Sequence, residues 1–168
     1  MNLEDFLEQT PRIWENCWLG ISPKSEHQLS SPDDYQDLFK QELKVPIYGL
    51  VGEESDYKLS PDSGSKLKYL EKSKVKKYLE VLLLEATFGG EEINMNYPEI
   101  DPRAYIAEVS QKIMDEAGES AIFFTNSDID GSGRYFSGWN ALTSHSKDSL
   151  VGYITGSHYR LFITGDDN

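Results

Sequence analysis

SAIFFTNSDIDGSGRYFSGWNALTSHSKDSLVGYITGSHYRLFIT, residues 120–164, reads as four strands in a row. Ala121-Ile-Phe-Phe-Thr125 is a short continuous apolar run, the pattern of a strand covered on both faces. Tyr135–Thr143 follows, then Leu150–Thr155, then Tyr159–Thr164. Gly156-Ser157 stands between the last two, and two residues of that type close a tight hairpin. Along Tyr135–Thr143 both alternating faces carry aromatics, so the pattern does not decide which face is covered. Gly138 in that run marks a bulge or a close backbone approach.

Outward from the strands, the apolar period becomes helical. Asp101-Pro102 starts a helix, Tyr105, Ile106, Val109, Ile113 and Met114 form its stripe, and Gly118 ends it. Lys66–Phe88 contains the longest helix, with Val75, Tyr78, Leu79, Leu82, Leu83 and Ala86 on one face. Ser31-Pro32-Asp33-Asp34 opens another helix: a cap, a proline at the first position, and acids facing the positive end of the dipole. Tyr35, Leu38, Phe39 and Leu43 would be its buried side. Asn2 caps a short helix carrying Leu3, Phe6 and Leu7, and Thr10-Pro11 restarts it. Ile13, Trp14, Cys17 and Trp18 then form a helical stripe that Gly20 ends. Val45–Val51 is strand-like, with Pro46 pushing it toward a sheet edge or a strand start. Residues 22–32, 53–65 and 91–101 read as loops. The expected fold is α+β in one domain, residues 1–168. N-terminal and central helices pack on one face of a C-terminal antiparallel β-meander.

The chain of 168 residues can bury about two-thirds of the surface its unfolded form exposes. Its 29 acidic residues against 16 basic leave a net charge of -13. Such a field repels nucleic acid and anionic membranes and favours a basic protein partner, although an acidic surface can also serve solubility alone. The acids are uneven: residues 1–63 hold 13 against 5 bases, and residues 90–120 hold 8 against 2. Residues 64–89 reverse the sign, with six lysines against three glutamates, and read as a solvated helix face. Cys17 is the only cysteine, so no internal disulfide forms, which suits a reducing compartment. The acidic N-terminus lacks the features of a secretory signal, and no apolar run approaches the ~18 residues of a membrane span. The expected location is the cytoplasm.

Three kinds of chemistry fit residues of this sequence. Asp128, Asp130, Ser132 and Gly133 match the opening of an EF-hand calcium loop, which needs hard oxygen ligands on a sharp turn. Trp139 then stands where the bidentate glutamate belongs, and the flanks read as strand, so a polar connection between strands explains the same residues and no cofactor is expected. His145 and His158 could serve acid–base chemistry in a small metal-independent hydrolase or nuclease, but a -13 field opposes recruiting a polyanion. The acidic surface is itself the third candidate. Asp128, Asp130 and Asp148 bracket the strands, with Tyr135, Trp139, Tyr153 and Tyr159 available as aromatic anchors. Asp128, Asp130, Tyr135, Trp139 and Asp148 are the expected partner contacts.

In size, acidity, its single cysteine and its α+β pattern, with the carboxylates and aromatics of Asp128–Trp139, the chain resembles the small cytoplasmic immunity proteins that bacteria pair with nuclease toxins. The resemblance is one of overall profile and rests on no shared motif. It implies a non-enzymatic inhibitor that binds a basic toxin and covers its active site. A structural or adaptor protein is the plainer alternative.

Overall fold

The structure, a computed structural model, describes residues 17–39, 44–49, 54–59, 62–88, 103–138, 141–142 and 147–166. The first strands are β1 (Cys17–Ile21) and β2 (Ser25–Glu26). A 3-10 turn, Pro32–Asp34, leads into the single turn α1 (Tyr35–Leu38). Then come β3 (Lys44–Gly49), β4 (Glu54–Lys58), a second 3-10 turn (Ser63–Lys66) and β5 (Lys68–Leu70). Two long helices follow, α2 (Lys72–Phe88) and α3 (Arg103–Ala117). The chain closes with β6 (Ile122–Thr125), β7 (Asp128–Ile129), β8 (Phe136–Ser137), β9 (Lys147–Ile154) and β10 (His158–Asp166).

The α+β class and the antiparallel sheet are as expected. One sheet runs β4-β3-β1-β10-β9-β6-β5, with β2 added beside β10. Its centre is the β9–β10 hairpin, in register from Tyr159↔Ile154 to Asp166↔Lys147. Gly156 and Ser157 form its two-residue connection, closed by the Thr155 N–H donating to the His158 carbonyl at 2.8 Å. Both faces of this hairpin are buried, which explains its dense apolar sequence. Val151, Tyr153 and Phe162 turn to one side and join Phe123, Leu19, Ile21 and the apolar stripes of α2 and α3. Leu150, Ile154, Leu161 and Ile163 turn to the other and join Phe124, Tyr35, Phe39, Leu59, Leu67 and Leu142. The two long helices thus share one face, while α1 and irregular segments cover the opposite one.

The stripe of α2 is buried as its spacing demands, from Val75 to Ala86. On α3, Ile106, Val109 and Ile113 are buried, and the Gly118 N–H donates to the Met114 carbonyl at 3.1 Å where the helix stops. Tyr105, expected on the buried stripe, is instead 45% exposed. The Ser31 cap is also as read: its Oγ accepts the Asp33 N–H at 3.2 Å.

Several elements differ from the sequence reading. The helix expected over Ile13–Trp18 gives way from Cys17 onward to β1, lodged between β3 and β10; Trp14 lies outside the described residues. Leu19 and Ile21 alternate toward the helices, and Gly20 sits mid-strand instead of ending a helix. Pairing along both edges of a strand outweighs a weak local period. Residues 54–58, read as loop, are the terminal strand β4, paired from Lys44↔Lys58 to Tyr48↔Glu54. A polar edge strand carries charges that discourage further pairing, so its sequence resembles a loop. Pro46 is on interior strand β3, but at the point where pairing with β1 has stopped, so its missing N–H costs no bond there. Lys66 and Lys68 precede α2 and belong to the second 3-10 turn and β5.

A further difference lies in the C-terminal meander. Of the strand expected at Tyr135–Thr143, residues 139–140 and 143 lie outside the described residues, and the described part does not enter the main sheet. Among its described residues only Phe136–Ser137 is strand, and it pairs with β7 in a separate two-stranded ribbon. Beside β9 that place is taken by β6, from Ile122↔Ile154 to Thr125↔Val151. The ribbon is therefore an excursion between two neighbouring strands.

Gly152 decides how β6 and β9 fit. A β-carbon there would stand 2.5 Å from Phe124 Cε2 and 3.0 Å from Leu161 Cδ2. The Phe124 ring occupies that space, stacked on Tyr35 at 5.0 Å and edge-on to Phe39 at 5.6 Å. Gly152→Ala should destabilise the protein by about 1–3 kcal/mol through overpacking. Adding Phe124→Leu should recover part of that loss, read as a favourable coupling in a denaturant double-mutant cycle. Simple additivity of the two changes would contradict this packing.

Candidate functional site

The ribbon carries the residues that the sequence singled out. Its tip is built by Asp130. Asp130 Oδ1 accepts the Ser132 N–H at 3.1 Å, the Ser132 hydroxyl at 2.6 Å and the Arg134 N–H at 3.4 Å. The Asp130 N–H donates to the Tyr135 carbonyl at 2.9 Å, and the Gly133 N–H to the Asp130 carbonyl at 3.0 Å. Gly133 takes φ +73°, which glycine adopts without steric cost. These hydrogen bonds, the Ser132 hydroxyl first, hold the Asp130 carboxyl below its ordinary pKa. The Asp-x-Asp-x-Ser-Gly pattern is thus a side chain organising its own turn. Asp128 faces elsewhere: it pairs with Lys68 on β5. Gly138 is a close approach, as read, since a β-carbon there would lie 3.2 Å from Asp128 Oδ2. Among the described residues, no three metal-ligating side chains gather.

The ribbon is fastened to the helices from beneath. Phe136 is buried beside Tyr78, with ring centroids 5.9 Å apart. The Phe136 N–H donates at 3.1 Å to Glu85 Oε1, a buried carboxylate on α2. Tyr135 is half-buried next to it. Trp139 lies outside the described residues.

Asp148 differs from its expected role. It was expected at the surface as a partner contact, and it is completely buried. Its Oδ1 accepts the Leu142 N–H at 2.9 Å and the Asn126 amide at 3.3 Å. Around it, Asn126 Oδ1 accepts the Leu150 N–H at 2.8 Å, and the Ser127 hydroxyl donates to Ser149 Oγ at 2.9 Å. Beyond Thr125↔Val151 the ladder between β6 and β9 is continued by side chains standing in for backbone. The sequence placed Asp148 between strands; what it lacked was Asn126 and Leu142 closing over it.

Tyr153 is likewise no surface anchor. It is fully buried, and its hydroxyl donates to Glu116 Oε2 at 2.8 Å. Burial first, then the Glu116 hydrogen bond and charge, raises its pKa well above the ordinary phenol value. Arg160 Nη1 donates to Glu116 Oε1 at 2.9 Å, its Nε donates to the Ser22 carbonyl at 3.1 Å, and its guanidinium lies 5.5 Å from the Phe162 ring centroid. This group ties α3 to β9 and β10. Tyr159 is half-buried against the second core.

Of the histidine pair, His145 lies outside the described residues. His158 Nδ1 is 2.7 Å from Ser157 Oγ, and its Nε2 is 4.0 Å from Glu26 Oε1, a strongly exposed carboxylate. His27 Nε2 meets the Thr155 carbonyl at 2.7 Å while its Nδ1 accepts the Leu29 N–H at 3.1 Å, which fixes the Nε2–H tautomer. Both histidines therefore bind segments to the β9–β10 turn.

One acidic feature went unrecognised in the sequence. Asp33, Asp34 and Asp37 are all exposed on the turn that ends in Phe39. From the same turn Tyr35 stacks on Phe124 and Phe39 meets its edge, and burial, then Asp33, raises the Tyr35 pKa. The cap motif placed those carboxylates at a helix start; nothing local indicated that two aromatics would pin the turn to the sheet.

No family model, no curated protein and no solved structure matches this chain. No helix among the described residues is long and apolar enough to cross a membrane.

Asp148→Ala should cost about 2–4 kcal/mol in denaturant unfolding, because it strands buried donors. Asp148→Asn, which keeps an acceptor, should cost less; a change below about 0.5 kcal/mol for the alanine variant would contradict the buried role. A second expectation concerns pH. Asp130 has a depressed folded pKa, so its contribution is present above the usual carboxylate value of about 4 and is lost as pH falls through the folded value. The amide NMR signals of Ser132 and Arg134 should move together in that acid range. Asp130→Asn should flatten the change, and an identical titration in the variant would count against it.

Proposed function

We propose that the protein is a non-enzymatic acidic binding protein that neutralises a cationic protein by covering its working surface, as immunity proteins do to nuclease toxins. The observation that carries this reading is the Asp33-Asp34-Asp37 turn. Its carboxylates are exposed while its aromatics are locked into the sheet, so they are presented with little ordering left to do on binding. A surrounding net charge of -13 speeds encounter with a basic surface and disfavours acidic competitors. The ribbon supplies a second contact through Asp128, Asp130 and Tyr135, although Lys68 offsets the charge of Asp128. Asp148 has no place in the interface, being buried. On this reading the partner is a basic protein, and the working location is the cytoplasm, where an incoming toxin would act.

The test starts with affinity capture from the native cell at low salt. A basic protein should be retained in one-to-one ratio, and its toxic or nuclease activity should fall as purified protein is added to equivalence. Asp33→Lys with Asp34→Lys should slow association about tenfold or more at low ionic strength and much less at high salt. Asp128→Lys should have a smaller effect. A captured protein that keeps full activity, or an on-rate indifferent to the Asp33 and Asp34 reversals, would rule the reading out.

A further inference from the structure

At the ribbon tip, Asp130–Gly131 is the only place in the sequence where glycine follows an aspartate, and glycine nowhere follows an asparagine. Without a β-carbon on Gly131, its amide nitrogen is open to the side chain before it. Nothing around the tip demands a glycine there. The left-handed glycines among the described residues are Gly118, Gly133 and Gly138, and a β-carbon at Gly131 would meet no heavy atom within 4 Å. Gly131 is exposed and Asp130 partly so.

Such a pair has a reaction of its own. The Gly131 amide nitrogen attacks Asp130 Cγ, the new C–N bond closes a succinimide ring, and a Cγ–O bond breaks. The oxygen leaves as water, carrying the carboxyl proton and the amide proton. Water then reopens the ring at either carbonyl, which restores aspartate or leaves isoaspartate. The reacting form is the neutral acid, because a carboxylate is a poor electrophile with no leaving group. The ribbon tip opposes this at both steps. The Ser132 N–H, the Ser132 hydroxyl and the Arg134 N–H converge on Asp130 Oδ1 at 3.1, 2.6 and 3.4 Å. Attack would rotate the carboxyl and end its planarity, so these bonds would weaken. The same donors favour the anion over the neutral acid. The Ser132 hydroxyl also accepts the Arg134 N–H at 3.3 Å, so it joins two strands of the clamp.

We infer that Asp130–Gly131 is a modification site, an isoaspartate-forming pair that the Ser132 hydroxyl holds in check while the ribbon is folded. In the product the chain gains a methylene, and the Asp130 carbonyl that now accepts the Gly133 N–H becomes a free carboxylate. The turn that sets the register of Asp128↔Ser137 and Ile129↔Phe136 would be lost with it. The inference does not depend on the function proposed for the acidic turn.

The full-length protein, folded in buffer or unfolded in urea, is held at physiological temperature and mildly acidic pH. Isoaspartate is counted by enzymatic methyl transfer and located by peptide mapping, where it gives a second peak of unchanged mass. Ser132→Ala should raise the folded-state rate about fivefold, roughly the effect of one hydrogen bond. The unfolded parent chain should react faster still. Ser132→Thr, which keeps the hydroxyl, should react as the parent does, and Gly131→Ala should suppress the product in both states. Both positions are exposed, and a thermal melt confirms that each variant is folded. Should Ser132→Ala not fold, the comparison of folded and unfolded parent protein carries the test. Equal rates in those two states, a Ser132→Ala rate no higher than the parent's, or absence of product at position 130 even in urea would each overturn the inference.

Discussion

The Phe124 ring lies over Gly152, and much of the second core is arranged around that contact. Because β9 has no side chain at this position, an aromatic from β6 can lie against its backbone. Tyr35 then stacks on the free face of the ring and Phe39 meets its edge. Each such pair adds about 0.5–1.5 kcal/mol beyond the burial of its area. The stack is also what fixes the α1 turn. Without it, a segment of seven residues with one side-chain cap would have little reason to hold its shape in water. The exposure and rigidity of Asp33, Asp34 and Asp37 thus follow from a packing decision made inside the sheet.

The corner between β6 and β9 is solved with polar groups instead. Asn126, Ser127, Asp148 and Ser149 are buried together, and their hydrogen bonds continue a ladder that the backbone has abandoned. A buried carboxylate is tolerated because donors surround it. This arrangement releases the chain to make the ribbon as an excursion and then return to β9 in register. Glu85 does similar work from α2, receiving the Phe136 N–H as the ribbon crosses the helix. Two buried acids are thereby spent on shape, and the count of acids overstates the charge available to a partner.

The electrostatics of the surface divide along the same lines. The acids concentrate in residues 1–63 and 90–120, while residues 64–89, which include α2, hold six lysines against three glutamates. Lys68 pairs with Asp128, and Lys77 and Arg134 border a cavity above Val81 and Ile106. A strongly acidic protein therefore carries basic side chains beside the very ribbon whose sequence looked acidic. Net charge alone describes neither region.

Local signals in the sequence determined what local physics controls. The buried stripes of α2 and α3, the Ser31 cap, the stop at Gly118 and the hairpin at Gly156-Ser157 each depend on residues a few positions apart. With a run of strands after the helices, they suffice for the α+β class. Only the tertiary structure decided the rest. Cys17–Ile21 is a strand because β3 and β10 pair with its two edges, and β10 arrives from the far end of the chain. Phe136–Ser137 is no strand of the main sheet because β6 already holds the edge of β9. Asp148 is a buried acceptor because Asn126 and Leu142 close over it, and Lys77, Arg103 and Arg134 share one cavity because two helices and a ribbon meet there. A carboxylate in sequence has no direction; burial and partners supply it, and both are set by contacts between residues that local pattern cannot connect.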